Sequence, residues 1–133
     1  MTLYSPYFMG KKILIMKILC CALFILFSAT SVVAQKFTKS EVKDLFLAAI
    51  SYHAVARVCG EASSIEISKK VIRRVLNFGE GHNLLSAEAI YYQRYPEEVI
   101  AKGEAQYRKD RYVGCSQARE IINQLDEATK RLP

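Results

Sequence analysis

The spacing of apolar residues changes character along the chain. Residues 18–27 (ILCCALFILF) are apolar without a break, and residues 28–34 (SATSVVA) are small or apolar. From about residue 37 onward, apolar side chains recur every three or four positions, the period of a helix that buries one face. Nothing alternates with period two over more than a few residues, and no Asn-Gly or Asp-Gly pair marks a hairpin. The pattern predicts an all-α fold: one small bundle of four to five helices.

Local signals place the helices. Thr38 and Glu41 are spaced as a capping box, and Phe37 with Val42 as a hydrophobic staple. Val42, Leu45, Phe46, Ala49, Ile50, His53 and Ala56 form the stripe of a first helix over 39–59, which Gly60 terminates. Ser63 and Glu66 are spaced as a second box, opening a helix that runs to about Phe78. The Gly79-Glu80-Gly81 segment then predicts a break. A third helix is expected up to Tyr95, capped by Asn83 or Ser86 and carrying Leu84, Leu85, Ala89, Ile90 and Tyr91. Pro96 suits the first position of a fourth helix, with Glu97 and Glu98 in its first turn. That helix is expected to reach about Val113, weakened at Gly103. Cys115 or Ser116 begins the last, with Ala118, Ile122, Leu125, Thr129 and Leu132 as its stripe.

The apolar run near the start has a different meaning. Lys11, Lys12 and Lys17 precede or open it, and Val32 and Ala34 fit the small-residue positions of a cleavage site. Basic n-region, short apolar h-region and small-residue tail together predict a secretory signal over 1–34, with translation starting at Met1, Met9 or Met16. The run is shorter than the roughly 20 apolar residues of a bilayer span. An uncleaved anchor over 13–33, interrupted at Lys17, is the alternative. Cleavage leaves residues 35–133 as one helical domain, periplasmic or secreted.

Composition changes the picture in two places. The full chain of 133 residues carries a formal net charge of +6. All three leader lysines go with the signal, so the mature chain is only mildly basic. With no recognised module beside it, that argues against nucleic acid. The mature chain also keeps just two cysteines, Cys59 and Cys115. An oxidising compartment predicts that they pair. By the chain-entropy estimate, a loop of about 57 residues makes such a bond worth roughly 4 kcal/mol. No Cys-x-x-Cys is present, and the spacing of His53 and His82 from the cysteines matches no zinc pattern. No metal or cofactor is expected.

Catalytic signatures are sparse. There is no Gly-rich phosphate loop, His-Glu-x-x-His or Gly-x-Ser-x-Gly. Glu97-Glu98 and Asp126-Glu127 are neighbours on helices and so face different ways, as solvated residues do. An acid–base site would have to come from His53, His82, Glu80 or Glu88. Two basic clusters are sharper. Lys69, Lys70, Arg73 and Arg74 form a strip on the second helix, opposite Val71, Ile72, Val75 and Leu76. Tyr107, Arg108, Arg111 and Tyr112 form a second group, of residue types enriched at binding hot spots. These eight residues are the expected partner-binding set.

A first helix ending in Cys59-Gly60 and a second cysteine, Cys115, before the final helix give a layout that resembles small uncharacterised secreted two-cysteine helical proteins of alpha-proteobacteria. In outline it is also similar to periplasmic immunity proteins. The resemblance implies an exported, stapled helical domain and carries over no catalytic residue. The expected function is binding of an envelope protein, as inhibitor, immunity factor, adaptor or chaperone. A small His/Glu enzyme or ligand-binding domain, or an anchored structural protein, are the alternatives. Contact with a membrane is expected only through the signal or an uncleaved anchor.

Intact mass spectrometry of the exported product is expected to return residues 35–133 with no free thiol. A product that retains residues 1–34, or in which Cys59 and Cys115 both alkylate without reductant, would contradict export and pairing.

Overall fold

The computed structural model describes residues 37–133. The signal over 1–34, the alternative starts and the alternative anchor lie outside the described residues. Five helices follow in order: α1 Lys39–Cys59, α2 Ala62–Gly81, α3 Ala87–Arg94, α4 Pro96–Lys109 and α5 Cys115–Thr129. No strand occurs among the described residues.

The organising element is α1. Its capping box forms as the spacing predicts: Glu41 N–H donates to Thr38 Oγ1 at 3.2 Å, and Thr38 N–H to the Glu41 carboxylate at 2.9 Å. From Leu45 to Ala56 nearly every side chain is buried, with Ile50, Ala54 and Val55 wholly enclosed. A helix buried all round needs neighbours on every side. Accordingly α2, α4 and α5 all pack on α1, and α2 also packs on α5, while α3 makes only light contacts with α1 and α4. Each large aliphatic or aromatic residue so buried contributes about 1.5–3 kcal/mol. Small residues set how closely the helices approach. A Cβ on Gly103 of α4 would stand 3.0 Å from Ala54 Cβ on α1. The glycine expected to weaken α4 is therefore a contact point with the spine.

Four boundaries differ from the sequence expectation. The Ser63/Glu66 box does not form, because α2 starts at Ala62 and Ser63 and Ser64 lie inside its first turn. Ser64 Oγ donates instead to the carboxylate of the N-cap residue, Glu61, at 3.2 Å. The glycines after Phe78 do not break α2, which continues to Gly81. Gly79 is buried there, and a Cβ on it would stand 2.7 Å from Leu85 Cδ2 and 3.3 Å from Val42 Cγ1, so absence of a side chain serves packing. Ser86 caps α3, which leaves Leu84 and Leu85 in the preceding turn. Lastly, α4 stops at Lys109 short of Val113. The Tyr107 hydroxyl donates to the Val113 carbonyl at 2.5 Å. That bond folds residues 110–114 back and buries Val113 against the core.

The expected disulfide is present. Cys59 at the end of α1 is bonded to Cys115 at the start of α5, with Cα atoms 5.9 Å apart. Gly60 turns the chain just beyond it in a left-handed conformation, φ 70°. Beside the bond, Arg119 of α5 forks onto the Glu61 carboxylate at 2.7 and 2.9 Å. One covalent and one bidentate contact thus tie the α1–α2 turn to α5.

Replacing both Cys59 and Cys115 by Ser is expected to lower unfolding free energy by about 4 kcal/mol. Urea denaturation of the variant, and of the parent with and without reductant, checks it. A midpoint that neither change moves would contradict a structural bond.

Candidate functional site

A groove of about 380 Å³ opens where α1, α2 and the α3–α4 junction meet. Helical spacing builds it. On α1, His53 and Arg57 stand one turn apart and share the side that faces α2. On α2, Lys69, Ile72, Arg73 and Leu76 follow the i, i+3, i+4, i+7 rule and form one continuous face. Tyr92 of α3 and Ile100 of α4 close the far wall, and Glu97 stands at the rim. The mouth has cations and amides, and the floor is mainly apolar.

His53 is the buried polar group of this floor, only 2% exposed. Its Nδ1 lies 2.7 Å from Ser68 Oγ, and Ser68 Oγ lies 2.9 Å from the Ile65 carbonyl. The serine has a single proton. Given to the carbonyl, it leaves Ser68 Oγ as acceptor for an Nδ1–H. This network assigns the Nδ1-protonated tautomer, with Nε2 as the bare nitrogen. No group among the described residues bonds Nε2. Burial pushes the imidazole pKa down from 6.5 to about 4, helped by the Arg57 and Lys69 cations and opposed by Glu97 and Glu66. His53 is therefore neutral at physiological pH.

The cations around it are not equivalent. Arg57 is held by Glu104 at 3.1 Å and by Glu97 at 3.5 Å. Lys69 pairs with Glu66 at 2.9 Å, both exposed. Arg73 is exposed and has no ion pair among the described residues. Glu97 is the groove's one carboxylate, and its side chain is 82% exposed.

The expected binding residues divide accordingly. Lys69 and Arg73 line the groove, and Lys70 is exposed beside them. Arg74 is turned to α5, where its guanidinium bonds the Asp126 carboxylate at 2.5 Å and reaches Thr129 Oγ1. The second cluster is open only at its arginines, Arg108 and Arg111. Tyr107 is 1% exposed, its ring packs edge-on against half-buried Tyr112 at 5.5 Å, and Arg111 lies 5.8 Å over it. Arg108 reaches Glu104 at 3.7 Å. Tyr107 belongs to the core because its hydroxyl is needed to hold the 110–114 turn. Burial raises the Tyr112 pKa, further separating it from any acid–base role.

The four acid–base candidates are not brought together. Only His53 lines the groove. His82 sits at the far end of α2, bonding the Phe78 carbonyl at 2.9 Å with its ring over Phe78. Glu88 pairs with Lys43 at 3.5 Å, and Glu80 is exposed near His82. Of the groove residues, Arg57 was not singled out from the sequence, although its i, i+4 placement from His53 was a usable signal; Glu97 was read only as a solvated carboxylate, because its place at the rim depends on how α4 docks.

Among the described residues no group of three or more His, Cys, Asp or Glu could hold a metal ion, and no helix is long and apolar enough to cross a membrane. Comparison with protein-family models, curated proteins and solved structures finds no match to the chain.

Because the folded pKa of His53 lies below its ordinary value, the unfolded chain binds the extra proton between about pH 6.5 and 4. The stability this neutral ring contributes is complete above pH 6.5 and is lost as pH falls towards 4. Allowing for solvent entering through the groove, the loss is on the order of 2 kcal/mol. Denaturation between pH 7 and 4, compared with His53→Gln, measures it. Identical slopes in the two proteins would contradict the assignment.

Proposed function

We propose that the chain is an exported helical protein that works by binding an envelope protein, and that its docking face is the basic mouth of the α1–α2–α4 groove. The observation that carries this reading is the mouth itself. Lys69 and Arg73 are presented to solvent from a rigid helix above an apolar floor. Arg73 has no carboxylate partner among the described residues. Protein interfaces combine an apolar centre with a polar rim, and arginine is enriched at their hot spots. An unpaired cation at the rim favours partners of opposite charge and speeds their approach.

Two further observations support it. The Cys59–Cys115 bond is compatible with an oxidising compartment, where such bonds persist. The single groove histidine is engaged with Ser68, whose own hydroxyl is bonded to a carbonyl. A buried serine so engaged is poorly placed as a nucleophile, which favours recognition over catalysis as the task of this groove.

A photo-crosslinker at Gln93, on the groove wall, tests the proposal in intact cells. The parent is expected to give a discrete adduct with an envelope protein. Lys69→Glu with Arg73→Glu is expected to cut its yield about tenfold, since reversed rim charges repel the partner. An adduct indifferent to both reversals would overturn the docking face, and no adduct at any ionic strength would overturn the binding role.

A further inference from the structure

We infer that the groove takes the free carboxyl-terminal residue of a partner polypeptide, an inference that rests on the binding reading above and names what enters the site. Three features of the groove each demand a chemical group. The first is an acceptor at the floor. His53 lines the groove, its Nδ1 is committed to Ser68, and its bare Nε2 has no protein partner among the described residues. Nε2 is not sealed off from solvent, and a ligand that displaces this solvent fits best if it brings a hydrogen-bond donor in its place.

The second feature is the charge of the mouth. Arg57, Lys69 and Arg73 stand against one lining carboxylate, Glu97, already within 3.5 Å of Arg57. Arg73 remains free to bind an anion, and a guanidinium matches a carboxylate in a two-pronged geometry. The third feature is the apolar wall of Ile72, Leu76 and Ile100, with the Tyr92 ring beside it. At about 380 Å³ the space lies near the lower end of ligand pockets. It suits one or two residues of a chain better than a whole helix.

Few ligand classes carry a donor, an apolar body and an anion together. A phosphate supplies the anion but no apolar body. A fatty acid supplies the anion and an apolar tail, but once ionised it has no donor for Nε2. An internal acidic segment offers a backbone N–H and apolar side chains, but its carboxylates sit at the ends of flexible side chains. A terminal apolar residue has its amide N–H, its side chain and its carboxylate all on one Cα. The N–H meets His53 Nε2, the side chain meets the Ile72–Leu76–Ile100 wall, and the carboxylate meets Arg73. Capture of a chain end by its carboxylate is an established recognition mode; here side-chain cations replace the usual backbone amides.

Fluorescence anisotropy with the disulfide-intact protein tests this. The probes are a fluorescein-labelled acidic hexapeptide ending in Leu with a free carboxylate, its C-terminally amidated twin, and a free-acid version ending in Gly. The free-acid Leu peptide is expected to bind at least about tenfold more tightly than the amide, as loss of a charge-assisted bond implies. The Gly peptide is expected to bind more weakly as well. Arg73→Gln is expected to erase the acid–amide difference while leaving the helical circular dichroism unchanged. In ¹⁵N spectra of the parent, the His53 Nε2 resonance is expected to shift on binding and that of His82 to stay.

Equal affinity for acid and amide, or an unmoved His53 resonance at saturation, would overturn the inference. If either occurs while the crosslinked adduct still depends on Lys69 and Arg73, the chain-end assignment alone fails. If the adduct fails too, the binding reading fails with it.

Discussion

The rest of the structure depends on the enclosure of α1. A helix with apolar and small residues on nearly all its faces has no stable solvent-exposed state. Its residues 45–56 can be satisfied only by surrounding them, which α2, α4 and α5 do. The requirement explains otherwise separate details. Ala54 sits where Gly103 allows α4 to come close, and Val42 sits under Gly79 for the same reason on the α2 side. The disulfide then fixes the open end of the spine to α5, the helix whose contacts are most distant in sequence.

The same enclosure creates the groove. His53 is the one imidazole on the buried stretch of α1, and a helix cannot turn one residue out of its stripe without turning the others. The ring is therefore held under α2, neutral, with Ser68 as its partner. Arg57, one turn further on, emerges at the surface and takes the carboxylates of α4. Between these two positions the short α3 leaves α1 and α2 incompletely covered, and the gap is the groove. The light packing of α3 goes with the exposure of Ile90 and Tyr95, which do not line the groove.

Much of this was legible in the sequence, and the reasons differ by feature. The all-α class, the extent of α1 and its capping box follow from local periodicity and local hydrogen bonds, which depend on near neighbours alone. The Cys59–Cys115 pair was expected from the cysteine count together with the expected export. The Ser63/Glu66 box failed because α2 starts at Ala62 with Glu61 at its N-cap, a residue that Arg119 contacts from the opposite end of the domain. The break expected at Gly79 did not occur, and the packing role of Gly103 was missed, because a glycine's cost in a helix is visible locally whereas its benefit lies on a neighbouring helix. Tyr107 looked like an interface residue by type; its bond to Val113 makes it structural. Lys69 and Arg73 were legible as a basic strip. That Arg74 would be consumed by Asp126 was not, since the two are separated by 52 positions.

Native-state hydrogen exchange followed residue by residue tests the central role of α1 most directly. The account predicts that the amides of residues 45–56 exchange only through global unfolding and are the slowest in the domain, with α3 among the fastest helical segments. Exchange of the 45–56 amides through local opening, at rates like those of α3, would contradict it.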